Sequence, residues 1–272
     1  MPHALVIRAP GTNCDQELCR GYALAGATVE LVHLEALIRD PSPLDKADLL
    51  GIPGGFSFGD DIASGRIFAM KVRERLYAPL REAIARGAPL FAPCNGFQVA
   101  VQVGLLPGPP AGEPWPTDAA PAQQLALTDN LGGRFVDRWV PVEYPTDSSC
   151  IWTRGVLDDI PAELRADVAI LPVAHGEGRL VAGTPDVLTR LQTAGQVAVR
   201  YLDNYNGSQN AIAGVTDAAG RILGLMPHPE RFLDWTRHPY WTRLPKDLLK
   251  KPTPGARMFM NAVEAASAAW AR

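Results

Sequence analysis

Residues 89–103 read PLFAPCNGFQVAVQV, and this stretch decides how the chain is expected to fold. Pro89–Ala92 is a short apolar run of the kind that forms a strand buried in a parallel sheet. Gly96–Val103 is predicted as the helix that follows. A sharp turn between them would hold the thiol of Cys94 above the sheet edge, where the positive end of the helix favours a thiolate. Cys94 is therefore a candidate nucleophile, and a buried packing thiol is the competing interpretation.

The alternation of strand and helix continues along the rest of the chain. Further strands are predicted at residues 4–9, 28–34, 48–52, 133–151, 169–181, 197–202, 211–215 and 222–226. Further helices are predicted at 13–25, 72–86, 184–193 and 255–270. This order predicts an α/β fold with a doubly wound, mostly parallel sheet and helices on both faces. Residues 1–272 are expected to form one domain, with surface insertions near 107–123 and 240–254.

Composition narrows the classes of protein to consider. Of the 272 residues, 47% are hydrophobic and 20% are charged, which is ordinary for a globular chain. The formal charge of −3 gives no sign of a nucleic-acid or anionic-membrane partner. The four cysteines form no CxxC pair, so neither a zinc site nor a disulfide framework is expected. With no basic leader and no long apolar run, a cytoplasmic location without a membrane span is expected.

A second candidate group lies in Pro227-His228-Pro229-Glu230, just after the last predicted strand. The prolines predict an extended chain, in which His228 and Glu230 point the same way and the carboxylate holds the imidazole tautomer. The segment lies at the sheet edge where α/β proteins bind ligands. Cys94, His228 and Glu230 are thus predicted as a catalytic triad, although the HPE tripeptide alone is equally typical of a loop.

A third candidate is Pro53-Gly54-Gly55, at the end of the strand predicted over 48–52. Two glycines allow backbone N–H groups to approach a developing oxyanion. A tight turn is the alternative interpretation, and on this motif alone the turn is favoured.

Together, PGG, CNGFQ and HPE, in this order, resemble the class I (triad) glutamine amidotransferase family. Further motifs narrow the resemblance to the family of glutaminase subunits of phosphoribosylformylglycinamidine synthase. These motifs are PGTNCD (10–15), GGFSFGD (54–60), AHGEG (174–178), NGS (206–208) and PHPER (227–231). They cover most of the chain, and as a set they are highly specific, although any one of them alone is weak.

The resemblance implies a role for each matched residue. Cys94 would attack the glutamine carboxamide, His228 would protonate the departing ammonia and later activate water, and Glu230 would orient His228. Gly55 and Asn95 would donate backbone N–H groups to the oxyanion. The residues expected to hold glutamine are Gly54, Gln98, His175, Gly176 and Glu177.

The resemblance also implies partners. The sequence contains no phosphate-binding loop, so no cofactor is expected in this chain. ATP and Mg are expected on a partner synthetase, which would receive the ammonia and aminate formylglycinamide ribonucleotide. A small accessory protein, as a third subunit, is expected too. No metal site is expected, because His175 has no second ligand cluster with suitable spacing.

Some features of the sequence leave room for other interpretations. Ala92 stands where the family usually has glycine, and Pro93 follows it. Cys14, near the first predicted turn, could line the site, but a packed thiol is the favoured interpretation. Three alternative functions remain open: the glutaminase subunit of another amination pathway, a thiol hydrolase, and a non-catalytic binding module of the same fold.

Overall fold

The computed structural model describes residues 1–270. Within that range eleven strands follow one another: β1 (His3–Arg8), β2 (Thr28–His33), β3 (Leu49–Gly51), β4 (Leu90–Pro93), β5 (Leu125–Asp129), β6 (Val136–Glu143), β7 (Ile170–His175), β8 (Glu177–Ala182), β9 (Val197–Tyr201), β10 (Ile212–Thr216) and β11 (Ile222–Leu225). The α-helices of the same range are α1 (Asp15–Leu24), α2 (Leu34–Arg39), α3 (Arg66–Lys71), α4 (Tyr77–Ala85), α5 (Asn95–Val103), α6 (Arg165–Val168), α7 (Pro185–Thr193) and α8 (Pro254–Trp270).

Among the described residues, nine strands form one sheet in the order β2-β1-β3-β4-β11-β10-β9-β6-β7. The pairings from β2 to β11 are parallel, and those from β11 to β7 are antiparallel. β5 and β8 form a separate antiparallel ribbon. The predicted α/β fold is confirmed, and the parallel half of the sheet is the half that carries Cys94.

Alternate residues of the central strands enter two different hydrophobic layers, as the two-residue period of a strand requires. On β1, Leu5 and Ile7 pack in the layer that also contains residues of α3, α4 and α5. Ala4 and Val6 pack in the opposite layer with residues of α1 and α8. Helices therefore cover both faces of the sheet, and Cys94 packs in the same layer as Leu5 and Ile7.

The main differences from the predicted elements lie outside the parallel half. Only residues 136–143 of the predicted strand region 133–151 form a strand, and turns follow it. The helix predicted over 72–86 begins earlier, at Arg66, and passes through a π-helical turn before α4. Strand β5 and helix α2 were not predicted. Residues 107–123 contain no helix or strand, and 240–253 contain only short 3-10 turns.

The carboxyl ends of four neighbouring strands define one edge of the sheet. In spatial order these strands are β1, β3, β4 and β11, and the turns that follow them carry Cys14, Gly54, Cys94 and His228. The strand order reverses between β1 and β3, and such a reversal is where open α/β sheets bind ligands. In the part of the chain that the structure describes, no helix is both long and apolar enough to cross a membrane.

Candidate active site

The turn between β4 and α5 forces Cys94 into an unusual backbone conformation, with φ of 50° and ψ of −112°. Positive φ is rare for a residue with a side chain and marks a strained turn. The N–H of Cys94 donates to Leu225 at 2.8 Å, which ties the turn to β11. Ala92 pairs with Gly224 of the same strand, so alanine is accommodated at this position. Cys94 retains 6% of its surface exposed, at the start of helix α5.

His228 and Glu230 form a buried pair, with Nδ1 of the imidazole 2.6 Å from Oε1 of the carboxylate. The prediction of an extended segment is wrong, because Pro229–Arg231 forms a 3-10 turn. The contact forms nevertheless, since this turn folds the carboxylate back toward the ring. The backbone N–H of His228 donates to Pro172 of β7 at 2.8 Å, which anchors the turn.

The electrostatic surroundings favour a protonated His228. Burial lowers the pKa of this imidazole, but Glu230, Cys94 and Cys14 outweigh burial and raise the pKa well above its ordinary value. The Nε2 atom of His228 is buried and has no hydrogen-bond partner within residues 1–270. The proton on this nitrogen is therefore available to a bound substrate.

Gly54 shows how closely the nucleophile and the imidazole approach each other. A Cβ atom added there would lie 3.1 Å from Cε1 of His228 and 3.3 Å from Cβ of Cys94. Both side chains thus border the same small space, although 134 residues separate them (228 − 94). Glycine leaves that space open to a reacting group.

The two predicted oxyanion donors, the backbone N–H groups of Gly55 and Asn95, belong to the turns that follow β3 and β4. Gly55 adopts φ of 135°, and its neighbours Gly54 and Phe56 make the hydrogen bonds to the segment 11–13. Among the hydrogen bonds of the described chain, none uses the N–H of Gly55 or Asn95. The geometry fits the oxyanion role of both residues, which remains a prediction.

The side chain of Asn95, unlike its backbone N–H, is fully engaged in hydrogen bonds within the protein. Its Oδ1 accepts from the N–H of Ser57 at 3.2 Å, and its Nδ2 donates to Asp60 at 3.2 Å and Gln98 at 2.9 Å. These contacts tie the loop after Gly55 to the start of α5. Asn95 therefore holds both predicted donors in register.

Gln98, one of the residues predicted to hold glutamine, bonds to two other residues of the predicted site. Its Nε2 donates to the carbonyl of Glu177 at 2.6 Å, and its Oε1 accepts from Asn95. Both ends of this buried amide are thus occupied by protein groups. Gln98 positions the Gly176-Glu177 segment, and direct contact of that segment with glutamine remains a prediction.

His175 is buried, and its Nε2 atom lies 2.6 Å from the hydroxyl of Tyr205. Burial, with a smaller contribution from His228, lowers the pKa of His175 to about 4. This imidazole is therefore neutral at physiological pH. Tyr205 in turn packs edge-on against Tyr201 at 5.1 Å. Neither tyrosine was predicted, because no motif marks them.

Cys14 and Arg231 also lie at this site. From the sequence, a packed thiol was favoured for Cys14, and Arg231 was given no separate role. Ligand atoms of Cys14, His228 and Glu230 lie within 4.8 Å of one another, a grouping that could hold a metal. Nη2 of Arg231 donates to Sγ of Cys14 at 3.0 Å. A guanidinium on the sulfur opposes a second cation, so the contacts fit a hydrogen-bond network better than a metal centre. In the sequence, the only signal that Cys14 and Arg231 belong near the site was their position in the PGTNCD and PHPER motifs.

Comparison with known proteins agrees with this geometry. Residues 1–265 match the model of the CobB/CobQ-like glutamine amidotransferase domain. A curated relative from Dehalococcoides mccartyi, phosphoribosylformylglycinamidine synthase subunit PurQ, is 38% identical over 98% of this chain and 97% of its own length. The PurQ subunit from Methanococcus maripaludis is 34% identical, with 97% of each chain covered.

Solved structures show the same relationship. A chain in the structure of PurLQS from Thermotoga maritima superposes with a TM-score of 0.66 at 26% identity, covering 97% of this chain and 98% of that chain. A glutamine amidotransferase from Thermotoga maritima shares the fold alone, at 15% identity and a TM-score of 0.50 over 97% of each chain. The chain therefore belongs to the glutamine amidotransferase family, and within it to the family of phosphoribosylformylglycinamidine synthase subunits PurQ.

Proposed function

We propose that this chain hydrolyses L-glutamine to glutamate and ammonia as the glutaminase subunit of phosphoribosylformylglycinamidine synthase. The observation that carries the proposal is the convergence of Cys94 with the buried His228–Glu230 pair at one sheet edge. Its PurQ relatives, matched over nearly their full length, support the choice of synthase.

In the first half of the reaction, the thiolate form of Cys94, beside the protonated His228, attacks the carboxamide carbon of glutamine. A C–S bond forms, and the carbonyl oxygen becomes an oxyanion that accepts hydrogen bonds from the N–H groups of Gly55 and Asn95. The oxyanion then collapses and the C–N bond breaks. His228 gives its proton to the departing nitrogen, so that ammonia leaves rather than an amide anion.

In the second half, water hydrolyses the thioester. His228 is neutral after the first step and takes a proton from the attacking water. The bond between the acyl carbon and the sulfur breaks, which releases glutamate and regenerates the thiolate of Cys94 beside a protonated His228. Glu230 holds the imidazole in one tautomer throughout, and this orientation serves both steps.

The ammonia serves a synthetase on another chain. Ammonia is readily protonated in water, so transfer within a complex keeps it reactive. The partner would bind ATP and Mg and convert formylglycinamide ribonucleotide to formylglycinamidine ribonucleotide, a step of de novo purine biosynthesis. A cytoplasmic location and a small accessory subunit complete the proposal.

The test uses the full chain mixed with its synthetase partner, with glutamine, ATP, Mg and formylglycinamide ribonucleotide. Wild type is expected to release glutamate and yield formylglycinamidine ribonucleotide. Cys94→Ala is expected to abolish both products with glutamine, while added ammonium salt restores the ribonucleotide product. Cys19→Ala, which changes a half-buried thiol of α1, serves as the control and is expected to behave as wild type.

The alternative functions give different outcomes in the same assay. Glutamate release that supports only a different synthetase would indicate another amination pathway. Cleavage of peptides without release of ammonia from glutamine would indicate a thiol hydrolase. Absence of glutamate release from wild type and Cys94→Ala alike, with the synthetase partner present, would indicate a binding module, and each of these results contradicts the proposal.

A further inference from the structure

Cys14 lies in the turn between β1 and α1, at the same sheet edge as Cys94. It is 1% exposed, and its side chain makes no capping hydrogen bond to α1. The thiol donates to Oδ1 of Asn13 at 3.1 Å and accepts from Nη2 of Arg231 at 3.0 Å. A buried sulfur with one acceptor and one charged donor is held in a single orientation.

The orientation brings the sulfur beside the proposed acid–base pair. Sγ of Cys14 and a ligand atom each of His228 and Glu230 lie within 4.8 Å of one another. A Cβ atom added at Gly54 would lie 3.3 Å from Sγ of Cys14 and 3.1 Å from Cε1 of His228. The same atom would lie 3.3 Å from Cβ of Cys94. Two thiols from neighbouring turns therefore border one imidazole.

Arg231 connects this sulfur to the turn that carries His228 and Glu230. It follows Glu230 directly in the chain, and its Nε lies 4.0 Å from Oε1 of Glu17 on α1. The guanidinium thus links the turn after β11 to the start of α1. A shift of Cys14 would be passed to the imidazole, because Arg231, which bonds to Cys14, and His228 belong to the same turn.

We propose that Cys14 is a positioning residue for the glutaminase reaction, whose sulfur, fixed by Arg231, holds the imidazole of His228 between Glu230 and Cys94. This inference rests on the proposed function. Cys14 does not contact the substrate in this scheme. It acts through His228, by keeping the imidazolium where its proton can reach the departing nitrogen.

A packed thiol is the competing interpretation, and the protonation of His228 separates the two. The titratable groups that face His228 are Glu230 on its own turn, Cys94 after β4, Cys14 after β1 and His175 on β7. His175 is neutral over the pH range in which His228 works. If a substitution at Cys14 changes the acid–base behaviour of His228, Cys14 has a polar role. Loss of packing contacts alone would not change that behaviour.

The experiment compares wild type with Cys14→Ala, Cys14→Val and Cys14→Ser in the full chain with its synthetase partner. Both apolar variants are expected to lower kcat about tenfold, because the imidazole is no longer held in place by the sulfur beside it, with KM for glutamine changed less than about twofold. The basic limb of the profile of kcat/KM against pH is expected to move about half a unit lower, because the imidazolium loses support. Cys14→Ser is expected to recover most of kcat, and Cys19→Ala is the matched thiol control.

Thermal unfolding identifies variants that do not fold. Alanine is smaller than cysteine and valine is slightly larger, so an effect common to both variants is caused neither by a cavity nor by overpacking. Wild-type kcat and an unmoved basic limb in the valine variant would overturn the proposal. Equal losses in the serine and valine variants without a shift of the limb would do the same, because only packing would then be involved. A wild type that releases no ammonia from glutamine would instead refute the proposed function, and this inference with it.

Discussion

Nδ1 of His228 lies 2.6 Å from Oε1 of Glu230, and each residue is 1% exposed. A buried carboxylate at this distance stabilises the imidazolium, and in the neutral ring it selects the tautomer with the proton on Nδ1. Burial lowers the pKa of His228, yet its charged neighbours raise it well above the ordinary value. The proposed proton donor is therefore charged at neutral pH.

Glu230→Gln is expected to lower kcat about 100-fold, since the amide keeps the size of the carboxylate but neither its charge nor its control of the tautomer. The basic limb of kcat/KM is expected to move to lower pH, because the imidazolium loses its main stabilising neighbour. Steady-state glutaminase kinetics from about pH 6 to about pH 10 measure both effects. A basic limb in the wild-type position would contradict the assigned role.

His175 is expected to make stability fall in mild acid. Burial, followed by His228, lowers its pKa to about 4, below the ordinary value of about 6.5 that the unfolded chain retains. The unfolded state therefore binds the proton more readily. Stability is lost as pH falls from about 6.5 toward about 4, by about 3 kcal/mol in total.

The measurement is denaturant unfolding at a series of pH values across that window. His175→Asn is expected to flatten the dependence, whatever it does to stability at neutral pH. His3→Asn, at a partly exposed histidine far along the sheet, is the control and is expected to keep the wild-type slope. An unchanged slope in His175→Asn would show that another group causes the loss.

The parallel half of the fold was predictable because its strands are buried on both faces. Such strands appear in the sequence as short apolar runs that end at Gly or Pro, and this located β1, β3, β4 and β11. The rule that ligands bind at the carboxyl ends of these strands then brought Cys94 and His228 together. The strands of the antiparallel half were harder to predict, because half-exposed strands such as β6 have a weaker hydrophobic pattern in the sequence.

The contacts of Cys14 and Tyr205 could not be predicted in the same way. Each contact depends on which turns lie next to each other in the folded sheet. The number of residues between two positions in the sequence does not indicate how close those turns are. The 3-10 turn at Pro229–Arg231 was missed because two prolines also fit an extended chain. The His228–Glu230 contact was thus predicted correctly from an incorrect local conformation.

Gly54→Ala is expected to impair catalysis more than folding. The added methyl group would lie 3.1–3.3 Å from atoms of His228, Cys14 and Cys94, so the imidazole and the thiols must move apart. Overpacking of this kind costs about 1–3 kcal/mol of stability, whereas kcat is expected to fall at least about tenfold.

Gly132→Ala is the matched control, because nothing lies within 4 Å of its added Cβ. Thermal unfolding and glutamine hydrolysis are measured on both variants. Wild-type kcat in Gly54→Ala would mean that the space beside Gly54 is not where the reacting groups meet.

Arg73→Ala is expected to loosen the segment 107–123 without unfolding the sheet. The Nη1 atom of Arg73 donates to the carbonyls of Val103 and Pro121, both at 2.8 Å, and Tyr77 donates to Pro116 at 2.9 Å. These bonds hold a segment that has no helix or strand of its own. Loss of the guanidinium leaves the bonded carbonyls unpaired, which is expected to cost about 1–3 kcal/mol of stability.

Hydrogen exchange and limited proteolysis are expected to become faster within 107–123 in Arg73→Ala. The control Arg75→Ala, at an exposed neighbouring residue, is expected to leave both rates unchanged. Equal protection in the two variants would show that the segment is held by its apolar contacts instead.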